Sequence, residues 1–138
     1  MPKKDANYVL DLCDSLLSQI SIREHRFPFL VGDTGRMLPV DAYYPKLKLV
    51  VEYHERQHTE AVDFFDKPDK LTVSGVPRGE QRKKYDQRRR DVLPKHGLVL
   101  VELSVTDFPC DSQKRLRRAP EIICSVLKAS LELFVKAD

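Results

Sequence analysis

Two short β-rich runs, "LKLVVEYH" from Leu47 and "LVLVELSV" from Leu98, flank a stretch with the composition of a polar helix, "RGEQRKKYDQRRRDVL" from Arg78. A strand, a helix and a strand in that order return the chain to one sheet through a helix crossover, and this constrains the fold more than any other feature. Upstream, "HRFPFLVG" reads as an edge strand because Pro28 cannot donate to a ladder, and "GDTG" reads as a turn. "RMLPVDAYY" follows, close enough to "LKLVVEYH" across Pro45 and Lys46 to form an antiparallel hairpin. The "LVLVELSV" run is nearly continuous in apolar residues, as in a strand covered on both faces.

Helices close both ends of this pattern. Asp5 can N-cap a helix in which Val9, Leu10, Cys13, Leu16, Leu17 and Ile20 make one apolar stripe. A last helix starts near Pro120 and carries Ile122, Ile123, Val126, Leu127, Leu131, Phe134 and Val135. The order α-β-β-β-α-β-α predicts three meandering strands and a crossover to a fourth, a mixed α+β sheet flanked by helices. Between them, 59–77 has two prolines, a glycine and scattered charge, which predicts an extended loop.

A chain of 138 residues is most economically one domain, residues 1–138. With 41% hydrophobic and 33% charged residues and no low-complexity tract, it has the composition of a soluble globular protein. No stretch approaches the roughly 20 apolar residues of a membrane span, and the basic start lacks an apolar signal core, so a cytoplasmic location without membrane partners is expected. Cys13, Cys110 and Cys124 have no C-x-x-C spacing and read as packed thiols. Net charge is only +3, but its distribution is uneven. Seven basic residues fall between Arg78 and Arg90 against Glu80 and Asp86, and "QKRLRR" adds four more between Lys114 and Arg118. Such clusters suit a phosphate-tracking surface, and equally a solvated helix face.

The chemistry concentrates at one strand end. A turn near Lys46 and Leu47 sets Asp41 opposite Glu52, and cross-strand neighbours lie about 5 Å apart at Cβ. Alternation sends Glu52 and His54 to one face and Leu49, Val51 and Tyr53 to the other. Two close carboxylates repel unless a cation offsets them. A magnesium ion, with manganese as a substitute, is the natural occupant, using one or two carboxylates together with water and a phosphate oxygen. His54, or His58 four residues on, has the side chain that titrates nearest neutrality and is a candidate for proton transfer.

With these residues in that order, the chain resembles the PD-(D/E)xK nuclease superfamily, whose core is restriction-endonuclease-like, αβββαβ. "VDAYYP" with Asp41, "VVEYHERQH" with Glu52, Gln57 and His58, and "EAVDFF" to Phe65 are similar to stretches of the very-short-patch-repair type and its small phage and homing endonuclease relatives. Asp86, Arg89, Leu93 and Gly97 follow the spacing of a downstream segment of that group, so the likeness covers roughly 36–103. It implies a DNA endonuclease with a repair-type relative, hydrolysing a phosphodiester with metal-activated water. Asp41 would be the principal metal ligand with Glu52 completing the site, His58 the acid or base, and Gln57 a phosphate or water positioner. His54 joins this catalytic set although it stands where the family has Asp, Asn or Lys. Glu55 replaces a usual glycine, and Glu102 an arginine.

Arg78, Arg82, Lys83, Lys84, Arg88, Arg89 and Arg90 are candidates for contacts to duplex DNA, although Asp86 and Arg89, three apart on one helix face, also read as a structural pair. Glu24 is a possible additional carboxylate or a helix-end charge. A chain this short has little surface for sequence readout, so cutting both strands would call for a homodimer or a fused partner. The alternatives are a structure-specific nuclease acting on junctions or RNA, a catalytically inactive nucleic-acid-binding module of the same fold, and a protein-interaction domain whose basic helix meets an acidic partner.

Overall fold

The computed structural model describes residues 4–55 and 78–135. The expected loop over 59–77, and Gln57 and His58 before it, lie outside the described residues. Helix α1 (Asp5–Leu17) is followed by strands β1 (Ile22–Val31), β2 (Met37–Tyr44) and β3 (Leu49–His54). Helix α2 (Arg78–Val92) then leads to β4 (Val99–Ser104), and α3 (Pro120–Ser130) closes the series. The four strands form one mixed sheet in the order β1-β2-β3-β4. The first three run antiparallel, and β4 lies parallel to β3 in a register of Leu49↔Val99 to His54↔Ser104.

Apolar side chains separate cleanly to the two faces of this sheet. One face sets Leu49, Val51, Tyr53 and Leu103 against Val9, Leu10, Cys13 and Leu17 of α1 and Ile123 and Leu127 of α3. The other sets Val40 and Val50 against Leu93 and Leu98, with Tyr85 and Val92 of α2 packed alongside. The alternation read for β3 is therefore met in space: 49, 51 and 53 face α1 and α3, whereas Val50, Glu52 and His54 reach towards α2 or its partners.

Local departures from expectation have identifiable causes. Lys4, not Asp5, is the N-cap of α1, with no side-chain cap bond, and Asp5 pairs with Arg118 at 3.0 Å. Ser18 adopts a left-handed backbone (φ 53°) and, with the Gln19 N–H donating to the Asp14 carbonyl, closes a Schellman-type end. The stripe therefore stops at Leu17, and Ile20 is 89% exposed. In α3, Ile123 and Leu127 are buried whereas Ile122 faces outward. Strand β4 is an edge of the described sheet, not an inner strand, and Val99 is 45% exposed. Pro45–Leu47 forms a single 3-10 turn that ends on Lys48 in the left-handed region, which makes the tight β2–β3 connection. Burial pushes the Cys13 thiol up to about 12, as expected of a packed cysteine.

Candidate functional site

The β2–β3 pairing Ala42↔Val51, Tyr43↔Val50 and Tyr44↔Leu49 carries forward to Asp41 opposite Glu52. At this step side chains take over from the ladder. The Asp41 N–H donates to Glu52 Oε2 at 2.6 Å, and the Tyr53 N–H donates to Asp41 Oδ2 at 2.8 Å. Each carboxylate thus grips the other strand's backbone, and the turn geometry that set the register also fixes the two acids.

Above them lies α2. Arg89 Nε approaches Glu52 Oε1 at 3.1 Å, Nη1 reaches Asp86 Oδ1 at 3.1 Å, and Nη2 donates to the Pro39 carbonyl at 2.9 Å. Glu52 is 5% exposed and Asp86 8%. One guanidinium thus serves two buried carboxylates, with Asp41 as a third acid beside Glu52. Burial pushes the Glu52 carboxyl up, repulsion from Asp41 adds to this, and together they carry it to about 8 although Arg89 pulls the other way. The Arg89 ion pair does not contradict the rise, because its single charge is divided between Glu52 and Asp86.

His54 does not join Asp41 and Glu52. Its Nε2 lies 2.9 Å from Glu102 Oε1 on β4. Arg90 holds the same carboxylate, with Nε at 2.8 Å from Oε2 and Nη2 at 2.8 Å from Oε1. Because Glu52 and Glu102 are register partners, Asp41, Glu52 and Glu102 form a row across three strands, with consecutive arginines of α2 on the second and third. Glu24 extends the row on β1: the pairs Arg23↔Ala42 and His25↔Val40 bracket it opposite Asp41, and its backbone is left-handed (φ 51°). The Glu24 side chain is exposed and lines a surface cavity with Asn7, Asp11 and Arg23.

The cations of α2 meet different fates. Arg89 is turned inward. Lys84 Nζ and Arg88 Nη2 both pair with Asp33 in the β1–β2 turn, at 2.9 and 2.8 Å, and Arg90 pairs with Glu102. Lys83 is exposed and Arg82 half-buried, while the side chain of Arg78, the first residue of the helix, lies outside the described residues. Among the described residues, no three His, Cys, Asp or Glu side chains are grouped to hold a metal. The pair Asp41 and Glu52 offers two carboxylates of hard oxygen donors, and each oxygen that accepts one hydrogen bond keeps a second lone pair.

Sequence reasoning missed Glu102 as a partner of His54. The available signal was an acid interrupting the apolar run "LVLVELSV" on the same parity as Glu52 in a neighbouring strand. It also missed Arg23, which binds Asp11 at 2.9 Å and Asp14 at 3.0 Å beneath α1, where no local pattern pointed to it.

No family model and no solved structure matches the chain. Among curated proteins, 74 residues are 36% identical to uncharacterized protein 094L of Frog virus 3 (isolate Goorha). The match covers 54% of this chain and 44% of the viral protein, so the chain spans less than half of that relative's length. Among the described residues, no helix is long and apolar enough to cross a membrane.

Proposed function

We propose that this chain is a metal-dependent DNA endonuclease on a restriction-endonuclease-like αβββαβ core of the PD-(D/E)xK type. The observation that carries the proposal is the charge deficit at the β2–β3 step, where the one Arg89 guanidinium pairs with both Glu52 and Asp86, Asp41 lies beside Glu52, and Glu52 is driven towards its neutral form. The strand order β1-β2-β3-β4, with a helix crossing between parallel β3 and β4, supports the same assignment.

Asp41 and Glu52 fit a hard divalent cation such as magnesium: both are carboxylates, they lie side by side, and their mutual repulsion is what a cation relieves. When bound, magnesium supplies Lewis-acid polarisation of a phosphoryl oxygen and a water of lowered pKa. The chain's own residues do the rest. The reciprocal bonds to Asp41 N–H and Tyr53 N–H hold both carboxylates in fixed orientations, and Arg89 keeps α2 seated over them. Lys83, exposed on α2, and Arg82 are proposed to meet phosphates, as the sequence proposes for Arg78. Lys84, Arg88 and Arg90 would have to exchange Asp33 or Glu102 for DNA, whereas Arg89 acts within the fold. His58 and Gln57, and a second copy of the chain for cutting both strands, enter the proposal from the sequence alone.

The inactive nucleic-acid-binding module is favoured by one feature, the ion pair of Arg89 with Glu52, which sets a cation of the chain's own on a candidate metal ligand. Magnesium-dependent nicking of supercoiled plasmid separates the two. Asp41→Asn, which keeps an acceptor for the Tyr53 N–H, should abolish nicking and leave salt-sensitive binding in place. A wild-type protein that binds but never cuts would overturn the enzyme assignment, and a fully active Asp41→Asn would overturn the site.

A further inference from the structure

We infer that Glu102 is a positioning residue for His54, and that it fixes the imidazole beside the candidate site as the Nε2–H tautomer. This rests on the endonuclease proposal only for its catalytic consequence. The geometry is independent of it. Glu102 takes hydrogen bonds from Arg90 on both carboxylate oxygens, at 2.8 Å to Oε2 and at 2.8 and 3.0 Å to Oε1, and the Oε1 atom also lies 2.9 Å from His54 Nε2. Burial pushes the Glu102 carboxyl up, but the hydrogen bonds from Arg90 and His54 outweigh it and hold the group below its ordinary range. Glu102 therefore stays ionised, and an ionised carboxylate can only accept.

The proton in the His54–Glu102 bond must consequently sit on Nε2. A neutral imidazole has one N–H, so the ring's basic lone pair is on Nδ1. His54 is 8% exposed, and its ring is held from β4 at the register step that pairs Glu52 with Glu102. Arg90 ties this arrangement to α2 one residue beyond Arg89, so the helix that seats Glu52 also sets the ring of His54. An acid at position 102, where the resemblance leads one to expect a base, thus has a task specific to this chain: it turns a histidine that replaces the family's usual residue into a group of defined orientation.

The test reads the ring directly. Nitrogen-15 NMR of the four histidines, with His54 assigned by its loss in His54→Asn, reports which nitrogen carries the proton on the alkaline side of the imidazole titration. The wild type should show Nε2–H for His54. Glu102→Gln, whose amide can donate as well as accept, should give a mixture or a reversal, and Glu102→Ala should lose the fixed tautomer. Unchanged His54 signals in both variants would overturn the inference whether or not the protein cuts DNA. In the plasmid assay, Glu102→Gln should lower kcat about ten-fold with little change in KM. A Glu102→Gln protein with an altered tautomer and a wild-type kcat would overturn the catalytic part. A wild-type protein that cuts nothing would overturn the endonuclease proposal, and the nitrogen signals would still decide the Glu102–His54 link.

Discussion

Glu52→Gln removes a charge while keeping the shape of the side chain. The parent carboxyl is pushed from 4.5 to about 8. Between those values the folded state holds a proton that the unfolded chain has released. The stability associated with Glu52 is therefore complete below the unfolded pKa and is lost as pH rises through the folded one. A rise from 4.5 to about 8, at about 1.36 kcal/mol for each tenfold change in proton affinity, sets a ceiling on the order of 5 kcal/mol. Relaxation and water entry reduce penalties of this kind, so a change on the order of 2–3 kcal/mol is expected. Glutamine does not ionise, still accepts from the Asp41 N–H, and can donate to the Asp41 carboxylate. In urea unfolding followed by circular dichroism with chelator present, the variant and parent should have similar stability near pH 5, and the variant should gain steadily towards about pH 8. Magnesium at ten times its dissociation constant should return about 1.4 kcal/mol to the parent and nothing to the variant. Parallel pH profiles for the two proteins, or a parent that gains on the variant as pH rises, would refute the charge deficit and the metal site argued from it.

Arg89→Leu leaves Glu52 and Asp86 buried without their shared cation and should cost about 3 kcal/mol in the same unfolding assay; a loss below about 1 kcal/mol would mean that Arg89 is not internal. Tyr44 is fully buried and its hydroxyl donates to Asp14 Oδ1 at 2.5 Å, so Tyr44→Phe should cost roughly 1.5–3 kcal/mol, as for a bond to a charged acceptor. At Gly32 a Cβ would meet Tyr85 Oη at 2.9 Å, Tyr85 Cζ at 3.0 Å and Leu38 Cδ2 at 3.1 Å. Gly32→Ala should therefore destabilise by about 1–3 kcal/mol, and less than additively when combined with Tyr85→Leu.

The parts of this fold that could be read in advance are those governed by short-range rules. Alternation in "LKLVVEYH" and a turn confined to Pro45–Leu47 were enough to set Asp41 against Glu52, and Pro28 marked β1 as an edge. Helix α2 was harder, because it has almost no apolar stripe: the three-residue spacing reads Asp86 and Arg89 as a pair, which the structure contains, but nothing local says that the same guanidinium reaches Glu52. Arg89 faces Glu52 because α2 crosses the sheet at that residue, a tertiary fact. The Glu102 link is of the same kind, since it depends on β4 lying in parallel register with β3. Ile20 fell out of its stripe because Ser18 takes a left-handed conformation that is usually left to glycine, which the sequence does not announce.

Asp41 and Glu52 are also rungs of the sheet, since each carboxylate accepts an N–H from the other's strand. Selection for a folded protein alone would then preserve an acceptor oxygen at both positions, but not the charge. A descendant that had given up cleavage and kept only its grip on nucleic acid would still need those acceptors to join β2 to β3, and amides would serve as well as acids. Loss of activity in such a lineage should be written in the pair itself, as amides in place of carboxylates, with the cross-strand bonds kept as structural inheritance.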